Sequence, residues 1–180
     1  MKLTHTLSFL LVAFLMVAVA PSQRAIAQSN TVYLDLPAGR VTIELATQQA
    51  PQHAERIRTL VSEGFYDGTV FHRVIDGFMA QGGDPTGTGT GGSEYPDLPA
   101  EFSSIPFERG VVGMARAASP NSANSQFFIM FQPAPHLNGL YTVVGRVTSG
   151  MDAVDALKKG TGQNGLVNNP DKLIRATLGN

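Results

Sequence analysis

Apolar and polar residues alternate cleanly from Thr31 to Leu36, with Val32, Leu34 and Leu36 on one face. Pro37-Ala38-Gly39 is a turn signal, and Val41, Ile43 and Leu45 then repeat the alternation, so this stretch predicts a hairpin of two half-buried strands. The period then changes. Ala54, Ile57, Leu60 and Val61 recur at helical spacing, with Thr47 placed to cap the helix and Gly64 to stop it. Residues 70–81 return to an extended pattern, with Phe71, Arg73 and Ile75 on one face and Val70, His72 and Val74 on the other. Asp76-Gly77 interrupts, and Phe78-Met79-Ala80-Gln81 resumes until Gly82-Gly83. Residues 82–100 are dense in Gly, Pro and Thr and read as a loop, shaped by the strands that bracket it.

Residues 110–115 and 126–131 read as strands joined by a Ser/Asn/Pro loop, and 141–147 as a strand launched by the Asn138-Gly139 turn. Met151, Val154 and Leu157 mark a second short helix, with Ser149 and Asp152 as a capping-box-like start and Gly160 as its end. Residues 172–178 supply a last strand. Many short antiparallel strands with only two helices predict a mainly β barrel or sandwich. No repeat or linker divides it, so residues 28–180 form one domain.

Residues 1–27 stand apart as a cleavable signal peptide. Lys2 supplies a positive start, Leu7 to Ala20 an uncharged apolar run, and Ala25-Ile26-Ala27 a small-residue cleavage site. The run is short of the roughly 20 residues a spanning helix needs, which argues against an uncleaved anchor. With no cysteine in the chain, a lipid-anchored form is excluded and export suits it, since no thiol can mispair. Removing the leader leaves 11 basic against 14 acidic residues, a formal charge of -3. No basic run or stripe is present, which excludes a nucleic-acid footprint and offers an anionic membrane no partner. No extra helix or coiled-coil segment suggests anything but a monomer.

Candidate chemistry concentrates in residues 70–84. A bent strand pair there sets Arg73 beside Phe78, Met79 and Gln81, an apolar pocket with a guanidinium at its rim. Such a site suits an apolar, uncharged, hydrogen-bonding group such as a proline imide. By pattern alone, Arg73 is equally a strand arginine paired with a carboxylate. Phe127 and Phe128 point to opposite faces, so one is core and the other is free to line a pocket. The GxGxxG run at 87–92 lacks a following helix and reads as a flexible surface loop rather than a dinucleotide site. His72 reads as packed or hydrogen-bonded rather than as a ligand. No GxSxG, HExxH or CxxC pattern is present, so serine-hydrolase and zinc-protease chemistry have no support. Phe71, Phe127 and Ile129 supply bulk to fill a small barrel, against a ligand carried inside it.

Three blocks carry a resemblance: FHRVIDGFMAQGGD at 71–84, GVVGMARAASPNSANSQFFIM at 110–130 and HLNGLYTVVGRVTSGMDAVDAL at 136–157. In order and spacing they resemble the cyclophilin-type peptidyl-prolyl cis-trans isomerases, over roughly residues 30–178. The resemblance implies a closed eight-stranded antiparallel β-barrel capped by two α-helices. It implies an isomerase of X-Pro bonds that needs no cofactor or metal, acting on proline-containing polypeptides. It makes Arg73 the catalytic donor with Gln81 beside it, and Phe78, Met79, Phe128 and Leu137 the proline pocket, with Phe127 inside the barrel. Ala115 and the backbone of Arg116 would hold the substrate chain with Gln81. With the leader, it implies folding of exported proteins in a bacterial periplasm or beyond it. The alternative is a chaperone or scaffold that binds proline segments with little turnover.

The chain departs from the best-known eukaryotic members at the pocket. His136 stands where they carry tryptophan, Tyr141 where they carry histidine and Arg116 where they carry asparagine, and the loop at 117–124 is one residue longer. Loss of the indole predicts weak binding of cyclosporin, the family's macrocyclic inhibitor. The charge of Arg116 predicts a taste for acidic flanking residues in substrates.

Overall fold

The computed structural model describes residues 29–179; the leader expected at 1–27 lies outside them. Eight strands form one antiparallel sheet: β1 (Thr31–Leu36), β2 (Gly39–Leu45), β3 (Arg73–Ile75), β4 (Met79–Gly82), β5 (Val111–Met114), β6 (Phe127–Met130), β7 (Val143–Ser149) and β8 (Arg175–Leu178). Their order across the sheet is β3-β4-β6-β5-β7-β2-β1-β8. Two helices, α1 (Pro51–Ser62) and α2 (Met151–Asp155), complete the regular structure.

The alternation of β1 and β2 sets their pairing. Val32 lies opposite Ile43 and Leu34 opposite Val41, so both apolar rows reach the same core. Register shifts at Thr42/Ile43 and Val112/Gly113 mark irregularities on either side of β7, and such bulges bend a sheet and increase its twist. The sheet therefore curls into a half-barrel. Its end strands, β3 and β8, share no ladder, so the fully closed barrel is not what forms. The segment at 165–173 covers the free edge instead: Val74 N–H donates to Gly165 O (2.7 Å), Phe71 N–H to Asp171 O (3.0 Å) and Gly68 N–H to Leu173 O (2.8 Å). An edge satisfied by loop backbone needs no ninth strand.

The interior holds Val32, Leu34, Ile43, Phe71, Val74, Met114, Phe127 and Ile129, with Ile57, Leu60 and Val61 of α1 and Val154 of α2 packed onto it. It leaves a void of only ≈ 20 Å³, room for about one water, so no ligand is carried inside. β5 and β6 are apolar on both faces, and β4 on both but for Gln81, because a second buried cluster, including Met79, Phe107, Val111, Phe128, Met130 and Leu137, packs on their outer side.

Three local expectations are corrected. Thr47 does not cap α1: Pro51 opens the helix, and Ala50 offers no side-chain cap. Glu101, from the long loop, takes that role, accepting from Gln52 N–H (3.1 Å) and His53 N–H (3.0 Å) while contacting His53 Nδ1 at 2.6 Å. Burial opposes charge on Glu101, but these hydrogen bonds outweigh it and hold its carboxyl below the usual range. Nor do Ser149 and Asp152 make a capping box, because Gly150, at φ 87, forms the cap with no side-chain bond. Alternation also fails before Arg73: Phe71 joins Val74 in the interior, because the strand begins only at Arg73.

Candidate active site

The site lies on the outer face of β3-β4-β6-β5. Arg73 pairs opposite Gln81, Gln81 opposite Phe128, and Phe128 opposite Gly113. These residues form one row across four strands, all on the face turned away from the barrel interior. Gly113 is needed there: a Cβ would run into the rings of Phe128 and Phe107. Its absence lets Phe128 lie across β5, stacked on Phe107 with ring centroids 5.6 Å apart and edge-on to Tyr141 at 5.7 Å. Phe127, one residue earlier, points inward and meets Tyr66 and Phe71. The split predicted for the two phenylalanines is the one observed.

A cleft of ≈ 190 Å³ opens over this row. Arg73, Phe78, Met79, Gln81, Ala115, Arg116, Phe128, Leu137 and Tyr141 line it. Of the predicted residues only His136 is not in the wall; it stacks on Phe78 at 5.6 Å, in the short turn Pro135–Leu137. The cleft thus has an apolar floor of Met79, Phe128 and Leu137 and one cationic side.

Arg73 has no carboxylate partner among the described residues, so the rim ion-pair reading does not hold. Its Nε donates to Asn164 O (3.0 Å) and its Nη1 to Gln81 Oε1 (3.1 Å). Both acceptors are neutral. The guanidinium is held at two corners, with no carboxylate against it and no acceptor on Nη2 among the described residues. Gln81 is itself held, donating through Nε2 to Gln126 Oε1 (2.9 Å), and Gln126 donates to Gly89 O (3.1 Å) and Gly91 O (2.8 Å).

Gln126 and Asn164 were not among the predicted site residues. Reading Gln126-Phe127-Phe128 with period two puts Gln126 on the face of Phe128, so the pattern held that signal. Asn164 contributes only a carbonyl, 91 positions from Arg73, and no side-chain pattern reports it. Arg116 lies over Tyr141 at 4.5 Å and donates to Leu140 O (3.1 and 3.0 Å) and to the carbonyls of Ala117 (3.0 Å) and Ala118 (3.3 Å).

The glycine-rich stretch at 87–92 is not the flexible loop expected. Asp84 organises it, accepting from the amides of Thr86, Gly89 and Gly91. His72 is buried beneath it with neither ring nitrogen hydrogen-bonded. Burial pushes its pKa down against the pull of Asp84, which makes it a neutral packing residue. No group of three metal-ligating side chains occurs among the described residues.

Comparison with known proteins agrees with this geometry. Residues 31–178 match the family model described as cyclophilin type peptidyl-prolyl cis-trans isomerase/CLD. A probable peptidyl-prolyl cis-trans isomerase of Brucella suis is 56% identical over 180 residues, covering 92% of each chain. Peptidyl-prolyl cis-trans isomerase B of Bacillus subtilis is 45% identical over 123 residues, 67% of this chain and 85% of its own. A Cryptosporidium parvum cyclophilin crystallised in the presence of the dipeptide Ala-Pro superposes with a TM-score of 0.76 at 29% identity, covering 83% of this chain and 99% of that one. From the apolar cleft, the unpaired guanidinium above it and these matches, the chain belongs to the cyclophilin-type peptidyl-prolyl cis-trans isomerase family.

Proposed function

We propose that this isomerase acts on X-Pro bonds of exported polypeptides, with the cleft over Phe128 holding the proline ring and Arg73 as the catalytic donor. An X-Pro bond isomerises in tens to hundreds of seconds unaided, because amide resonance leaves a barrier of about 18–20 kcal/mol. No bond is made or broken. A catalyst has only to bind the twisted amide better than either planar form. Twisting localises the lone pair on the proline nitrogen, which makes that atom a better acceptor. A fixed guanidinium beside the ring gains strength as the twist develops.

The observation that carries this reading is how Arg73 is held. Neutral acceptors take its Nε and Nη1 and, among the described residues, none takes Nη2, so a charged donor faces the cleft. A passive binder of proline segments needs the apolar floor but gains nothing from that arrangement. Isomerisation of an Ala-Pro peptide by the purified protein, alongside Arg73→Ala, is the direct test; a folded parent without acceleration would move the reading to a binding module.

Export rests on residues 1–27, whose charged start, apolar run and Ala25-Ile26-Ala27 site have the order of a signal peptide. In a periplasm, proline-limited folding of newly exported chains is the process such an enzyme would speed, and as a monomer it would meet them one at a time. Cell fractionation with N-terminal sequencing tests this, the expected mature start being Gln28.

A further inference from the structure

The chain holds two Asn-Gly pairs, Asn138-Gly139 and Asn164-Gly165, and the second touches Arg73. It lies in the turn at 160–166, whose two legs pin β3: Gly160 N–H donates to Val74 O (2.8 Å), and Gly165 O accepts from Val74 N–H (2.7 Å). One position earlier, Asn164 O accepts from Arg73 Nε (3.0 Å). Catalysis by Arg73 uses that carbonyl and leaves the asparagine side chain without a role.

An asparagine amide carbon can be attacked by the next backbone nitrogen, because the ring that closes has five members. Glycine in the next position puts no Cβ in the way of that nitrogen. Here the fold requires the glycine. Gly165 has φ 66, and a Cβ on it would run into Ile75 Cγ1 and lie 3.1 Å from Val74 O. Its N–H is held only by Gly162 O at 3.4 Å, longer than an ordinary N–H···O bond. Asn164 is exposed, and among the described residues its side-chain amide makes no hydrogen bond. Asn138 differs. Its Oδ1 accepts from Phe107 N–H (2.8 Å), so its amide must give up a partner before it can turn toward Gly139.

We propose that Asn164-Gly165 is a spontaneous modification site, at which conversion to isoaspartate turns the carbonyl that positions Arg73 into a carboxylate and lowers kcat. The Gly165 nitrogen bonds to Asn164 Cγ, the Cγ–Nδ2 bond breaks, and ammonia leaves with the Gly165 N–H proton. Water then opens the succinimide. Attack at Cγ gives aspartate, whereas attack at the former main-chain carbonyl breaks its bond to the Gly165 nitrogen and gives isoaspartate. In isoaspartate the main chain runs through Cβ and Cγ, and the carbon whose oxygen accepted from Arg73 Nε carries a free carboxylate. A neutral acceptor has become an anion, which opposes the field the guanidinium presents to the cleft. Asn164 is thus a positioning residue that acts through Arg73, and the inference rests on the reading of Arg73 as the donor.

The test holds the folded protein at mildly alkaline pH, where the attacking nitrogen loses its proton more readily, with a mildly acidic sample as reference. Peptide mapping by mass spectrometry locates the deamidated residues, and an isoaspartyl carboxyl methyltransferase with S-adenosylmethionine distinguishes isoaspartate from aspartate. The expected result is isoaspartate at 164 ahead of any change at Asn138. In the converted protein kcat on an Ala-Pro peptide should fall by about tenfold, short of the loss on deleting the donor, with KM unchanged because the apolar floor is untouched. Repair to aspartate by the methyltransferase restores a neutral main-chain carbonyl and should recover most of the rate. Asn164→Gln, whose longer side chain closes the ring slowly, should keep its own starting rate through the same treatment. Conversion at 164 no faster than at Asn138 would overturn the proposal. So would an unchanged kcat in converted, folded protein, or an equal loss in Asn164→Gln. If the fresh parent does not isomerise the peptide, it is the donor reading that fails. The Arg73 Nε–H resonance by NMR then decides the modification: displacement on conversion supports it, and an unmoved resonance overturns it.

Discussion

Replacing Arg73 tests the chemistry most directly, and the structure sets the size of the effect. Arg73→Ala removes a charged donor from the wall of an apolar cleft without opening the core, since the side chain is only half-buried and forms no ion pair among the described residues. Deleting one preorganised donor that acts on charge developing in a transition state costs about 2.7–4 kcal/mol, or 10²–10³ in kcat. Against an uncatalysed barrier of about 18–20 kcal/mol, that loss leaves a weak residual catalyst that still grips the ring. Arg73→Lys separates charge from geometry. An ammonium keeps the charge but cannot bond Asn164 O and Gln81 Oε1 while presenting a third corner to the substrate. It should fall between Ala and the parent. The assay is protease-free NMR exchange on an Ala-Pro peptide, with circular dichroism to establish folding. A folded Arg73→Ala within about threefold of the parent rate would refute the argument, because no transition-state donor is that dispensable.

Asp84 links stability to pH. Its carboxyl is held at about 2 against an ordinary 3.8, which corresponds to about 2 kcal/mol. Because the folded value is the lower one, that stabilisation is present above pH 4 or so and fades as pH falls toward 2. The gap in urea midpoint between parent and Asp84→Asn should therefore shrink over that range, and a constant gap would sink the assignment. Gly113→Ala puts a methyl against Phe128 and Phe107 and should cost about 1–3 kcal/mol of stability while raising KM for proline peptides; an unchanged KM would mean Phe128 is not part of the proline floor. Cyclosporin should inhibit weakly, because His136, stacked on Phe78 outside the cleft wall, offers a large ligand less apolar surface than an indole would; His136→Trp should tighten inhibition, and submicromolar inhibition of the parent would contradict this.

Much of the site was legible because strands write their faces in period two. Val32, Leu34 and Leu36 share a face, and Phe127 and Phe128 take opposite ones, before any neighbour is known. Helical spacing announced α1 in the same local way, and the three blocks around Arg73, Ala115 and His136 carried the family. Misreadings arose where a distant group supplied what the local pattern seemed to require. Thr47 looked like a helix cap, but Glu101 serves α1 from about fifty positions away. Gly-Thr repeats looked loose, but Asp84 clamps them through backbone amides that no residue pattern displays.

By itself, then, the sequence determined most of the strands and both helices and the two-sided alternation within them, and its family resemblance set a guanidinium beside an apolar floor. Only the tertiary structure decided that Arg73, Gln81, Phe128 and Gly113 fall in one row, that the sheet's free edge is covered by the segment at 165–173, and that Arg73 is held by neutral acceptors. The reason is the nature of the two kinds of information. Periodicity is a property of consecutive residues, whereas register, edge coverage and the direction of a hydrogen-bond chain depend on which remote backbone groups come to lie within about 3 Å, and those are fixed when the whole sheet curls.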